Sequence, residues 1–190
     1  MLMVLATSTE FWATLKLLYC YSSNGTHQNF PDLVIRPVSY NRVSQCKWET
    51  YTASCSVTII PRFFTITSGK SELLETNQVT QITYETPMLR RYDVIACNTP
   101  LFYVDNWQLL LTSVELRRYF GVSLQVFYII SIEHNLMQLL QSYAIDGYAT
   151  LEPFAAIDIG SVKYNYTPKE EIAFRGAEIA YNGCFFKYKV

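Results

Sequence analysis

At 190 residues the chain has room for one domain, or one domain with a sizeable extension. Half its residues are hydrophobic and 15% aromatic, ample for a packed core, and 15 Lys and Arg against 16 Asp and Glu leave a net charge of −1. The basic residues are scattered and form no stripe of the kind that binds nucleic acid, and His27 and His134, both expected at the surface, are too few for a histidine-rich metal site.

The first segment, Met1 to Tyr21, is apolar in places but broken by Glu10 and Lys16, and it opens with no basic region. It fits neither a transmembrane helix nor a signal peptide, so residues 1–29 are expected to be an irregular or locally helical lead-in. Asn24-Gly25-Thr26 is a glycosylation sequon, as is Asn165-Tyr166-Thr167, and both suit a secretory lumen.

Residues 30–87 read as β-rich. Phe30 to Tyr40, punctuated by Pro31 and Pro37, predicts a lead-in and a short edge strand. From Thr50 to Ile59 the pattern alternates, with Tyr51, Ala53, Cys55, Val57 and Ile59 on the apolar face, which predicts one strand of an antiparallel sheet. Arg62 to Thr67 is its expected partner, Ser68 to Asn77 a polar turn, and Val79 to Glu85 a further strand. Of the five cysteines none forms a CxxC, and Cys46 and Cys55, eight residues apart in this stretch, are the disulfide candidates for an oxidising compartment.

Beyond Pro87 the alternation gives way to solid apolar runs. Asp93 to Cys97 predicts a strand buried on both faces, with Cys97 a small hydrophobe in it. Asp105 is expected to cap a helix, with Gln108 closing the capping box. Trp107, Leu110, Leu111 and Val114 form the buried face, Arg117 and Arg118 the last turn, and Gly121 the stop. Leu124 to Ile130 is the second strand. The result is a βαβ unit, which binds ligands at the carboxyl ends of its strands. A helix follows through Leu136, Leu139, Leu140 and Tyr143 to Gly147, then a strand from Tyr148 to Pro153 and a loop from Phe154 to Tyr166. Thr167-Pro168-Lys169-Glu170 is a helix start, and Ala173, Ala177, Ala180, Cys184 and Tyr188 mark that helix's buried face. Gly176 and Gly183 fall inside it, and each costs about 1 kcal/mol relative to alanine, which suggests close approach of something there.

RRYDVIACNTPLFYVDNWQLLLTSVELRRYFGVSLQVFYI, with CKWETYTASC upstream and AYNGCFFKYK downstream, resembles the start of the catalytic domain of glycosyltransferase family 92, a family of Golgi-type galactosyltransferases. The resemblance covers Phe30 to the last residue. It implies an α/β, GT-A-like (Rossmann-like) donor-binding half-domain over residues 88–190, preceded by the small antiparallel extension. It also implies a UDP-sugar donor, a glycan or glycoprotein acceptor, Mn²⁺, and a Golgi membrane location through a single N-terminal anchor that is not evident here. The family's Asp-x-Asp metal motif follows the helix with which this sequence ends at Val190. The domain is therefore expected to be incomplete, and the chain inactive alone.

By the same resemblance the loop Asn98-Thr99-Pro100 lies beside the nucleotide, the strand end near Ser131 and Glu133 flanks base and ribose, and Asn182 matches the family's asparagine. Asp105 is a further candidate contact, although a helix cap accounts for it better. Gly183 stands where the family usually has Asp, a departure that weakens donor binding or marks a diverged copy. A non-catalytic member that binds a nucleotide sugar or a partner is accordingly the second reading. A dinucleotide enzyme is disfavoured, because no glycine follows the first strand to admit a pyrophosphate.

Overall fold

The computed structural model describes residues 2–7, 18–38, 48–57, 61–67, 81–82, 88–154 and 176–189. Asn165, the helix start at Thr167, Cys46 and most of Ser68 to Glu85 lie outside them. The chain divides into two compact units, Met1–Thr86 and Pro87–Val190.

In the first unit, β5 (Trp48–Ser54) lies between β1 (Leu2–Thr7) and β4 (Val34–Pro37), antiparallel to both. A second antiparallel sheet has β2 (Tyr19–Ser23) between β3 (Gln28–Asn29) and β6 (Phe63–Thr67). The expected edge strand is present as β4. The lead-in is corrected where it is described: residues 2–7, 19–23 and 28–29 form strands, and β1 supplies the ladder that β5 needs on its other edge. Arg62 to Thr67 pairs with β2, not with the strand at Thr50, because both edges of β5 are already taken. That strand ends at Ser54. Tyr51 and Ala53 are buried as the alternation requires, but Thr50 on the expected wet face is buried too.

A disulfide joins Cys20, in β2, to Cys55, just past β5, and so links the two sheets. Cys55 therefore does not pair with Cys46. Cys20 is fully buried, and its partner stands 35 residues away, a pairing that depends on how the sheets stack and not on local spacing. The first sequon occupies the tip of the β2–β3 hairpin. There Asn24 Oδ1 accepts hydrogen bonds from the backbone N–H groups of Thr26 and His27 and from the Thr26 hydroxyl, at 3.0, 2.8 and 2.9 Å.

The second unit holds a parallel sheet of order β7 (Ile95–Cys97), β8 (Leu124–Ile129), β9 (Ala149–Pro153). Helix α1 (Trp107–Tyr119) connects the first two strands and α2 (His134–Ile145) the next two, while α3 (Ala177–Tyr188) follows later. The alternation along β8 sorts the layers. Phe127 packs with Leu110 and Val114 of α1 and Leu136, Leu140 and Tyr143 of α2. Leu124 and Val126 pack with Cys184 and Tyr188 of α3. Helices thus cover both faces, as a parallel sheet requires.

The expected helices, their buried faces and the stops at Gly121 and Gly147, both at positive φ, are present. The first strand is shorter than expected, beginning at Ile95. Trp107 is not core but 54% exposed, since it opens α1 one turn before the helix meets the cluster. The cap of α1 is Asn106, whose Oδ1 accepts from Leu109 N–H at 3.0 Å, and not Asp105. Before it, Val104 is held beside the start of α2, its carbonyl accepting from Glu133 N–H at 3.1 Å, and the helix starts one residue late.

Cys97 is not a free small hydrophobe. It forms a disulfide with Cys184, which fixes α3 against β7. Lys187 of α3 adds an ion pair to Glu152 of β9 at 2.8 Å. Gly176 is also corrected: with φ +78 it precedes α3 as its N-cap, so it does not lie inside the helix. A side chain there would meet the Phe154 ring at 2.9 Å, whereas Gly183 within α3 faces the Tyr128 hydroxyl.

Candidate functional site

The site grows from the end of β7. Instead of turning away, the chain after Cys97 continues beside the extension of β8. Asn98 N–H donates to Val126 C=O at 3.0 Å, Leu101 N–H to Tyr128 C=O at 2.7 Å, and Leu101 C=O accepts from Ile130 and Ser131 N–H at 3.0 and 3.1 Å. Pro100 lacks a donor and is tolerated between these bonds. Ser131 Oγ accepts from Tyr103 N–H at 2.9 Å and holds Tyr103 at φ +51, a left-handed conformation that non-glycine residues seldom adopt.

This pinned loop forms one wall of a cavity of about 650 Å³ at the carboxyl ends of the strands, and the first two turns of α3 form the other. Thr99, Pro100, Phe102 and Val104 line the first wall, and Glu178 and Tyr181 the second. The second wall is fixed in height by the Cys97–Cys184 disulfide, one turn beyond Tyr181. At its start Gly176 lets the Phe154 ring in close, and that ring meets Tyr128 edge-on at 5.9 Å.

Of the residues singled out from the sequence, Thr99 and Pro100 line the cavity. The other candidates do not. Asn98 is buried beneath it and its side chain is committed: Nδ2 donates to Val126 C=O at 3.0 Å, and Oδ1 accepts from Arg117 Nη1. Ser131 serves Tyr103, as described. Glu133 is exposed at the start of α2, Asp105 is exposed before α1, and Asn182 Nδ2 donates to the Glu178 carbonyl one turn back, at 2.8 Å. Phe102, Glu178 and Tyr181 escaped sequence reasoning. For the last two a signal existed, because both fall beside the predicted buried stripe of α3, at the helix end nearest the strand termini.

Away from the cavity, Glu115 accepts a hydrogen bond from the Tyr143 hydroxyl and stands 4.0 Å from Arg118, whose guanidinium lies 3.9 Å over the Tyr148 ring. Burial first, then the Glu115 carboxylate, pushes the Tyr143 hydroxyl up to about 12. This cluster ties α1 to α2.

A divalent ion needs several oxygen or nitrogen ligands. Among the described residues no group of three His, Cys, Asp or Glu stands close enough to supply them, and the cavity lining has the single carboxylate of Glu178. The described residues therefore do not fit a Mn²⁺ site.

A parallel sheet covered on both faces, with a crevice outside the carboxyl ends of its strands, defines the class of α/β domains that bind ligands at that edge. The model of glycosyltransferase family 92 matches residues 92–190, the whole of this sheet and its three described helices and just over half of the chain. The chain belongs to that family. Among curated relatives, Glycosyltransferase family 92 protein F13G3.3 of Caenorhabditis elegans is 25% identical over 190 residues, covering 100% of this chain and 36% of the relative. Protein F59C6.8 of the same organism and family is 31% identical over 158 residues, covering 82% of this chain and 29% of the relative. The chain thus spans about a third of the length of these relatives.

Proposed function

We propose that residues 88–190 form the donor-binding half of a GT-A-like glycosyltransferase that moves galactose, or a related hexose, from a UDP-sugar to a glycan acceptor. The observation that carries this reading is the cavity between Thr99-Pro100 and α3, at the carboxyl edge of a parallel sheet within the family match. In such a transfer the bond from the anomeric carbon to the leaving diphosphate breaks, and a bond to an acceptor hydroxyl oxygen forms as that hydroxyl loses its proton. What this chain's cavity offers is binding and orientation, holding one reactant in place for the other.

Mn²⁺ held by residues outside those described here, an acceptor on a glycan or glycoprotein, and residence in the Golgi belong to the same proposal. Disulfides within each unit favour an oxidising lumen. The same reading puts an N-glycan on Asn24. No helix among the described residues is long and apolar enough to cross a membrane.

The test is titration of the full chain with UDP-galactose, with and without Mn²⁺, against ADP-ribose as the mismatched nucleotide sugar. Saturable binding displaced by UDP is the expected result. No binding of UDP-galactose, UDP-glucose or UDP itself overturns the reading.

A further inference from the structure

Tyr103 occupies a backbone conformation that suits glycine and not tyrosine. Among the described residues it alone, apart from glycines, has a positive φ, at +51. The strain is held from three sides. Leu101 bridges Ile129, Val104 bridges Ile132, and Tyr103 N–H donates to Ser131 Oγ at 2.9 Å. What this backbone presents is a ring that is 78% exposed. That ring meets Phe102 edge-on, with centroids 4.3 Å apart, and Phe102 lines the cavity, so Tyr103 stands at its mouth. Strain that the surroundings over-determine points to a use for the side chain it presents.

A second large ring follows. Trp107 opens α1 and is 54% exposed, although its helical spacing marks it for the core. Four residues of chain separate the two, about 14 Å at full stretch, so one oligosaccharide can cover both. The polar groups beside them are Asp105, Asn106 and Gln108, all exposed. Asn106 Oδ1 serves the helix cap, which leaves its Nδ2 to donate outward. A pyranose carries C–H bonds on one face, which rest on the electron-rich face of an aromatic ring. Its hydroxyls both donate and accept, and carboxylates and amides match them.

Resting on the transferase reading above, we propose that Tyr103 and Trp107 form a platform for the acceptor glycan at the mouth of the cavity. The Tyr103 ring stacks on the sugar unit nearest the cavity and Trp107 on a unit further out, while Asp105 and Gln108 hold hydroxyls. The left-handed backbone then has a role: it sets the Tyr103 ring outside the wall to which its neighbours Phe102 and Val104 belong. The donor stays within the cavity, so the platform governs the acceptor alone.

The experiment is ligand-observed NMR titration of the full chain with chitotetraose, maltotetraose and neutral N-glycans released from glycoprotein, and separately with UDP-galactose. It is run on the native protein and on Tyr103→Gly, Tyr103→Phe and Trp107→Ala. At least one of the glycans is expected to bind. Tyr103→Gly and Trp107→Ala weaken it about 5-fold or more, and Tyr103→Phe keeps it within about 2-fold. UDP-galactose affinity stays within about 2-fold throughout. Glycine adopts the Tyr103 backbone freely, so Tyr103→Gly should melt no lower than the native chain, and its loss of glycan is then a loss of the ring.

If UDP-galactose binds and none of the glycans does, or if Tyr103→Gly or Trp107→Ala binds the glycan as the native protein does, the platform is overturned and the donor reading stands. An equal loss of UDP-galactose affinity in Tyr103→Gly also overturns it, because the ring then belongs to the donor. If a glycan binds through these rings and UDP-galactose does not bind, the platform is upheld as a glycan contact and the transferase reading falls.

Discussion

The hydroxyl oxygen of Tyr128 lies 3.4 Å from the point that a Cβ on Gly183 would occupy. That is ordinary contact, and Gly183 sits in the body of α3 at a helical φ. Gly183→Ala therefore gains helix propensity without a clash, and is expected to stabilise the second unit by up to about 1 kcal/mol in denaturant unfolding. Gly176→Ala does the reverse. Its Cβ would stand 2.9 Å from the Phe154 ring on a backbone at φ +78, and a loss of more than about 1 kcal/mol is expected. Equal effects at the two glycines would contradict this account.

The Cys97–Cys184 bond closes a loop of sequence separation 87. Replacing both cysteines by alanine is expected to lower stability by roughly 4–5 kcal/mol, the chain-entropy value for such a loop. Because Cys184 is fully buried, mild reductant should leave the bond intact until the unit unfolds. Thiol labelling with and without denaturant measures that directly.

Tyr143 titrates at about 12 in the folded chain, against 10.0 for an ordinary phenol. The folded state holds this proton more tightly than the unfolded state, so its stabilising effect is complete below pH 10 and lost as pH rises through 12. Tyr143→Phe removes a hydrogen bond to a carboxylate and should cost about 1–3 kcal/mol at neutral pH. Across the alkaline window the gap between native protein and variant should close. A gap that is constant with pH would show that the hydroxyl does not titrate there.

Asn98→Ala separates a structural role from a ligand-binding one. The asparagine joins Val126 to Arg117 under the loop, and its loss leaves buried partners unmet, at an expected cost of about 1–3 kcal/mol in stability. At a temperature where the variant stays folded, UDP-galactose affinity should change by less than about 3-fold. Thr99, which lines the cavity, is the position in that loop where substitution should change affinity.

The second unit was legible because each local signal agreed with the fold. The apolar run ending at Cys97, the spacing of Leu110 and Val114, and Gly121 all point to strand, helix and stop. The errors there are local: a cap displaced from Asp105 to Asn106, Trp107 one turn outside the core, a first strand that begins at Ile95, Gly176 capping α3 from outside it, and Cys97 bonded to Cys184. The first unit was less legible because its order is non-local. Nothing near Phe63 says that its strand prefers Tyr19–Ser23 to Trp48–Ser54, and nothing near Cys55 names Cys20 as its partner. The cavity was half legible. Thr99 and Pro100 follow from the strand-end rule, but Glu178 and Tyr181 require knowing that α3 returns across the sheet to stand beside β7.

Each disulfide closes within one unit, Cys20 to Cys55 before the Thr86–Pro87 junction and Cys97 to Cys184 after it. The peptide backbone is thus the sole covalent tie that these four cysteines leave across the junction. A protease cut there would yield two fragments that run apart on a denaturing gel even without reductant, whereas a cut between Cys97 and Cys184 would release nothing until the gel is reduced.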